Sequence, residues 1–163
     1  MAIVDIQIDA IEPFAEGRAF GDAGSYLRIK GIAKGEIDPA APENSVIVDL
    51  DKAPRNVHGM IAYETEFFIL RPAELRRANS VLVYDVTNRG RKMILNLLDD
   101  ASSSADTNNP RTAQDVGLAF TLGRGYSLVW SGWDSGAPRA NNGMTARLLA
   151  STRKWRAYSA PHP

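Results

Sequence analysis

The segment Asn88-Arg89-Gly90-Arg91-Lys92 has the residue types best suited to binding an anion. It follows a nearly continuous apolar run, residues 81–86, and precedes a possible helix. Backbone N–H groups at such a turn can bind an anion or an oxyanion, and arginine or lysine side chains add positive charge. We therefore take its first three residues, Asn88, Arg89 and Gly90, as candidates for an oxyanion loop. The alternative is a turn whose basic side chains are only solvated.

The serine and histidine residues form no recognisable catalytic set. A serine nucleophile elbow requires the pattern G-x-S-x-G, because small flanking residues permit the strained turn between strand and helix. Ser127 has only the first of these glycines, Gly125, and Ser131 has neither at the required offset. His58 lies in a segment typical of a solvated loop, and His162 is next to the last residue. We therefore assign no catalytic residue.

Neither a metal site nor a phosphate loop is predicted. Residues 17–24 are rich in glycine, but their spacing matches neither G-x-G-x-x-G nor the P-loop, and no helix follows. Asp49 and Asp51 lie two residues apart at the end of a predicted strand, residues 46–50, so both would point the same way. Carboxylates in that position are more often solvated than bound to a cation. Because cysteine is absent and only two histidines are present, thiolate and His/Cys zinc sites are excluded. We expect no metal and no cofactor.

Two tryptophans are candidates for binding a planar ligand. Trp130 and Trp133 lie close in the sequence to the polar residues Asp134 and Asn141, a combination that could stack on a sugar or a similar small molecule. The alternative is that both rings pack in the core.

The composition is that of an ordinary globular domain. The 163 residues include 19 Lys+Arg and 19 Asp+Glu, so the formal net charge is zero. Nucleic acid and anionic membranes attract proteins with a basic field, so neither is expected as a partner. No run approaches the ~20 apolar residues of a spanning helix, and the N-terminal stretch lacks the positive start of a signal peptide. We therefore expect a cytoplasmic protein.

The candidate residues described above must be positioned by a fold. We predict this fold as one mixed α/β unit over residues 1–147. Residues 1–70 alternate in polarity and are rich in β-branched side chains, which predicts a mainly antiparallel β-layer. Residues 80–133 are predicted as one strand-loop-helix-strand unit, with the first strand covered on both faces. Its helix falls at 112–122 and its second strand at 126–130; a helical crossover makes two such strands parallel.

Five segments of this chain resemble, in the same order, the N-terminal part of a family of large bacterial proteins known as α/β-hydrolase-domain proteins. The resemblance covers about residues 5–147. The segments are Phe20-Gly21-Asp22-Ala23-Gly24-Ser25-Tyr26, Gly35-Glu36-Ile37-Asp38-Pro39, Asp49-Leu50-Asp51-Lys52-Ala53-Pro54-Arg55-Asn56, Tyr84-Asp85-Val86-Thr87-Asn88-Arg89-Gly90-Arg91-Lys92, and Gly125-Tyr126 through Gly132-Trp133.

The resemblance implies a unit of α/β-hydrolase type, with Asn88, Arg89 and Gly90 in the position of the oxyanion loop. In that fold the nucleophile elbow, the acid and the histidine all follow later in the chain. Family members continue for several hundred residues, whereas this chain loses its pattern after about Arg147. We therefore expect a truncated N-terminal portion of an esterase-type protein, inactive alone. Residues 148–163 would be a disordered or out-of-frame basic tail.

The alternative function is a self-sufficient β-rich module that binds a ligand or another protein. A small molecule is then the expected ligand, and the sequence does not identify it. In either case the strand at 126–130 would be an apolar sheet edge without a neighbour. Such an edge can pair with another chain, so we expect self-association through it.

Overall fold

Six strands form one sheet in this computed structural model, which describes residues 2–149. The strands are β1 (Ala2–Pro13), β2 (Tyr26–Ile37), β3 (Ile61–Pro72), β4 (Leu82–Val86), β5 (Ser127–Ser131) and β6 (Ala146–Leu148). Their order is β1-β2-β3-β5-β4, with β6 also beside β3. The two α-helices of the described residues are short: α1 (Ile94–Leu98) and α2 (Phe120–Gly123).

The first three strands form an antiparallel layer, as the alternation in residues 1–70 predicts. Each of them has 12 residues. Two glycines in β2 serve a packing purpose, because the Phe67 ring lies over Gly31 and the Tyr63 ring lies over Gly35. A Cβ atom at Gly31 would come within 2.7 Å of the Phe67 ring and 2.1 Å of the Gln7 carbonyl oxygen. Both glycines are therefore positions where a ring of the neighbouring strand approaches the backbone closely.

The predicted mixed α/β fold, with its unit of α/β-hydrolase type, is wrong. The sheet is mostly antiparallel, and only β4 and β5 pair in parallel. The predicted helix over 112–122 does not form as one helix, because Gly117 and Ala119 adopt left-handed φ angles of 51°. The amide of Leu118 instead donates to the Asp99 carbonyl oxygen at 2.6 Å. A 3₁₀ turn (Ala113–Val116) and the one-turn helix α2 remain.

Two further predictions about strands are corrected. Residues 46–50, predicted as a strand, form turns that lead into a 3₁₀ turn, Leu50–Lys52. Asp49 has a left-handed φ of 59°, and its carboxylate accepts a hydrogen bond from Lys52 Nζ at 2.6 Å, so local bonding replaces strand pairing. β4 is not covered on both faces, because it is an edge strand with alternate side chains exposed.

The hydrophobic core covers one face of the sheet. The 14–26 segment, α1 and α2 pack there against Phe68, Leu70, Leu128 and Trp130. Two buried polar side chains hold this layer in place. One forms a hydrogen bond between the sheet and the layer, and the other joins two segments of the layer. The Tyr26 hydroxyl donates to the Leu122 carbonyl oxygen at 2.9 Å. The Asp99 carboxylate accepts bonds from both the amide and the hydroxyl of Thr121 at 2.7 Å.

The end of the described chain departs from the predicted boundary at 147/148. Leu148 belongs to β6 and pairs with Tyr63 of β3. The amide of Leu149 donates to the Ala62 carbonyl oxygen at 2.9 Å. The rest of the predicted tail, including His162, lies outside the described residues. Between residues 2 and 149, no helix has the length and apolar character needed to cross a bilayer.

Candidate functional site

The predicted oxyanion loop is a tight two-residue hairpin turn directly after β4. Arg89 and Gly90 occupy its tip with positive φ angles of 49° and 85°, as the primed β-turns require. Asn88 and Arg91 close the turn, since each amide donates to the other's carbonyl oxygen at 2.9 and 3.1 Å. The Asn88 amide is therefore committed to the turn and is not available to an oxyanion.

The turn borders a cleft of about 1,060 Å³, which we call the polar cleft. Its walls are the 102–108 loop and the 138–143 loop, and Met93 and Asn96 contribute to its lining. Arg89 and Arg91 both line the cleft. Of the three predicted oxyanion residues, Arg89 is the one in the lining, and its Nε lies 3.6 Å from the Asp134 carboxylate.

The two walls of the polar cleft are joined by side-chain hydrogen bonds. Asn108 donates from its amide nitrogen to the Asn141 carbonyl oxygen at 2.8 Å. Asn142 donates to the Asp106 carboxylate at 3.3 Å. Because each bridge links one loop to the other, the shape of the cleft is held by the protein itself.

Lys92 anchors the first wall from below. Its backbone amide donates to Asn108 Oδ1 at 2.8 Å, and its ammonium group donates to the Asn108 carbonyl oxygen. The side chain is buried, with Nζ 4.3 Å from the centre of the Phe68 ring and 5.7 Å from the Trp130 ring. The turn containing Lys92 was identified from the sequence, but its burial was not, because a lysine in a basic run is typical of a solvated surface.

Burial lowers the pKa of Lys92 to about 7, since the charged form loses its hydration inside the core. Arg28 also lowers this pKa, whereas the carboxylates of Asp106, Glu66 and Asp85 raise it. Arg28 is a second buried cation beside Phe68, with its guanidinium carbon 5.5 Å from the ring centre. Lys92 therefore changes its charge near neutral pH in a region that already contains a buried guanidinium.

Asp85 positions the residues that follow the turn. Its Oδ2 atom accepts hydrogen bonds from the amides of Met93 and Ile94 at 2.8 and 2.9 Å, at the start of α1. The same atom accepts the indole N–H of Trp130 at 2.6 Å. We did not single out Asp85 from the sequence. The available signal was an acidic residue inside an otherwise apolar strand segment.

The two tryptophans have different environments. Trp130 is fully buried and its indole N–H is bound to Asp85, so its ring offers no face to a ligand. Trp133 is 58% exposed, and its indole N–H donates to the Thr87 carbonyl oxygen at 2.6 Å. Its neighbour Asp134 pairs with Arg89 at 3.6 Å. Stacking on a ligand therefore stays a prediction for Trp133.

The remaining chemistry-bearing residues do not converge. His58 lies in an exposed turn, where its amide donates to the Asn56 side chain at 3.0 Å. Over residues 2–149, no cluster of three or more His, Asp or Glu side chains could hold a metal ion. Asp49 and Asp51 thus form no such site.

The second notable surface is the sheet face opposite the core, which we call the open face. Cross-strand partners point to the same side of a sheet, so the register identifies its members. They are Ile3, Ile6, Ile8 and Ile11 of β1, Ile29, Gly31, Ala33 and Gly35 of β2, Tyr63, Thr65, Phe67, Ile69 and Arg71 of β3, Ser127, Val129 and Ser131 of β5, and Leu82, Tyr84 and Val86 of β4. Among these residues Arg71 alone is charged, at one end of β3, and the seven in β1 and β4 are between 49% and 61% exposed.

Self-association was predicted through the strand at 126–130, and this choice of edge is wrong. β5 lies between β3 and β4, so both of its sides are paired. The outer strands are β1 and β4 instead, together with the short β6, which pairs with β3 alone among the described strands.

Comparisons of this chain with protein-family models, curated proteins and solved structures find no significant match. The polar cleft and the open face are therefore the two surfaces that can indicate a function.

Proposed function

We propose that this chain is a β-rich protein-interaction module that pairs with a second copy of itself through the open face. The observation that carries the proposal is the set of seven exposed, uncharged side chains that β1 and β4 place on this one side of the sheet. Exposed apolar patches of this kind are uncommon on monomers and mark interaction surfaces. Sheets commonly bury such a face against another sheet in an aligned sandwich.

The shape of the open face supports a sheet-on-sheet contact. The Phe67 and Tyr63 rings lie over Gly31 and Gly35, so large side chains cover positions that carry none. The two rings fill the space above the glycines, so the middle of the face is flat. A second sheet packed on this face would come closest there. Away from Arg71 at the end of β3, two identical copies would bring no charge into that contact, which favours a self-complementary interface.

The available area is sufficient for a stable dimer. If each of the seven exposed side chains in β1 and β4 buries about 90 Å², and the half-buried ones between them bury less, each copy supplies roughly 800 Å². Stable protein–protein interfaces bury about 800 Å² per partner. The open face therefore meets the size requirement without any contribution from the strand edges.

The oligomeric state tests this proposal. Sedimentation equilibrium at micromolar concentration should show the mass of a dimer for the wild type. Ile6→Lys and Val86→Lys, at opposite sides of the face, should each shift the protein to monomer. Both side chains are at least 60% exposed in the single chain, so neither change disrupts the fold itself. Val57→Lys is the matched control, because Val57 is 95% exposed in a loop. A monomeric wild type, or a dimer that tolerates both lysines, would overturn the proposal.

The hydrolase assignment and the cytoplasmic location stay predictions. The resemblance supports a hydrolase portion, and such a portion would also need a covering layer on its open face. Since no G-x-S-x-G occurs in the sequence, that hypothesis predicts no turnover of activated esters.

A further inference from the structure

The polar cleft has the features of a ligand site that the proposed interaction function does not use. It lies beside the 88–91 turn at the end of β4, while the open face is formed by the strands themselves. Its volume of about 1,060 Å³ falls at the upper end of the range for small-molecule sites. Ligand binding in the cleft would therefore not depend on whether the chain forms a dimer.

The charge of the cleft favours an anion. Arg91 makes no side-chain hydrogen bond or salt bridge to any residue within 2–149, so its guanidinium donors are free. Arg89 has one ion pair, a 3.6 Å contact between Nε and Asp134, which leaves its other donors available. The one acidic residue in the lining, Asp106, already accepts bonds from the Asn109 amide and the Asn142 side chain. The two arginines of the lining therefore outnumber its one carboxylate, and they have more hydrogen-bonding groups without a partner among residues 2–149.

The rest of the lining is suited to hydroxyl groups. Serine and asparagine side chains line the walls, and amide and hydroxyl groups bond equally well to donors and acceptors on a polyol. The apolar side chains of the lining are those of Met93, Ala105, Pro138 and Ala140. A purely hydrophobic ligand would leave these polar groups without partners.

The backbone around the cleft is also held in an uncommon conformation. Arg89, Asn141 and Asn142, all in the lining, have left-handed φ angles of 49°, 54° and 56°. Such conformations persist where the surrounding structure holds them, and they cluster at ligand-binding sites. Here the hairpin closure and the Asn108–Asn141 bond provide that restraint.

We propose that the polar cleft binds a small hydroxylated anion, whose phosphate or carboxylate group is held by the guanidinium groups of Arg89 and Arg91. Guanidinium groups bind both kinds of anion through paired N–H donors. The hydroxylated part of the ligand would then lie between the 102–108 and 138–143 loops.

Isothermal titration calorimetry with three probes tests the proposal. Glucose 6-phosphate and glucuronate carry the two anionic groups on the same sugar skeleton, and glucose carries neither. We expect saturable binding of one or both anions at millimolar concentration and no binding of glucose. The anion that binds more tightly identifies the preferred group.

Two variants show whether the arginines are responsible. Arg91→Gln should weaken binding by about tenfold or more, because it removes a charge-assisted contact. Arg76→Gln is the control, since Arg76 is also exposed but lies before β4 and is absent from the lining of the cleft. Binding of neither anion, equal binding of glucose, or unchanged affinity in Arg91→Gln would each overturn the proposal.

Discussion

The free energy of unfolding is expected to rise between pH 7 and pH 10, because Lys92 is buried in the folded chain. Its pKa is about 7 in the folded state and 10.5 as the ordinary value in the unfolded chain. Between these two values the unfolded chain binds a proton that the folded chain does not bind. Raising the pH therefore disfavours unfolding, and the stabilisation approaches about 1.4 kcal/mol for each pH unit in this window.

Lys92 determines the slope only within a limited pH range. Below pH 7 Lys92 is protonated in both states, so its contribution no longer changes with pH. Above pH 10 Tyr26 acts in the opposite direction, because burial raises its pKa and the unfolded chain loses that proton first. Asp106, Glu66 and Asp85 face Lys92 and raise its pKa, whereas Arg28 lowers it. Between about pH 7.5 and pH 9.5, the titration of Lys92 therefore dominates the pH dependence of the free energy of unfolding.

Urea unfolding at several pH values between these limits measures the slope. We expect Lys92→Met to remove most of the rise, because methionine fills similar space without a titratable group. Lys34→Met serves as the control, since Lys34 lies on the sheet surface and pairs with Asp5 at 3.1 Å. A flat or falling wild-type profile would refute the reasoning, and so would a rise that persists in Lys92→Met.

Two further changes test the packing that supports the site. Gly31→Ala should lower the free energy of unfolding by about 1–3 kcal/mol, because the added methyl group would lie 2.1 Å from a carbonyl oxygen of β1. Gly123→Ala, with no atom within 4 Å of the added group, should be nearly neutral in the same urea titration. Asp85→Asn should cost about 1–3 kcal/mol, because one oxygen accepts three N–H groups and the amide is a weaker acceptor. A fully stable Asp85→Asn variant would show that these three bonds contribute little.

The three long strands within residues 1–70 could be predicted because the residue pattern inside each segment is enough to indicate an extended conformation. Alternating apolar side chains and β-branched residues determine which segments are extended and which side of each strand is apolar. β1, β2 and β3 accordingly lie where the pattern indicates. The turn at 88–91 was also recognisable, since its glycine and its position after an apolar strand are features of a few consecutive residues.

The helix at 112–122 and the strand at 46–50 were predicted wrongly because local pattern was overruled by close contacts. At 112–122, the main chain at Asp99 approaches Gly117 so closely that a Cβ atom would lie 2.2 Å from the Asp99 carbonyl oxygen. No periodicity in residues 112–122 contains that information. At 46–50, the side-chain bond between Asp49 and Lys52 favours a turn over an unpaired strand.

The sequence by itself determined the location of β1 to β5, the charge balance, the exclusion of thiolate chemistry, and the turn that carries Arg89 and Arg91. Tertiary structure decided which side of the sheet the core covers, that Trp130 is buried while Trp133 is exposed, and that Lys92 lies against Phe68. The physical reason is that local residue types specify what a segment can bury or bind. Long-range packing decides which of those groups lose contact with water.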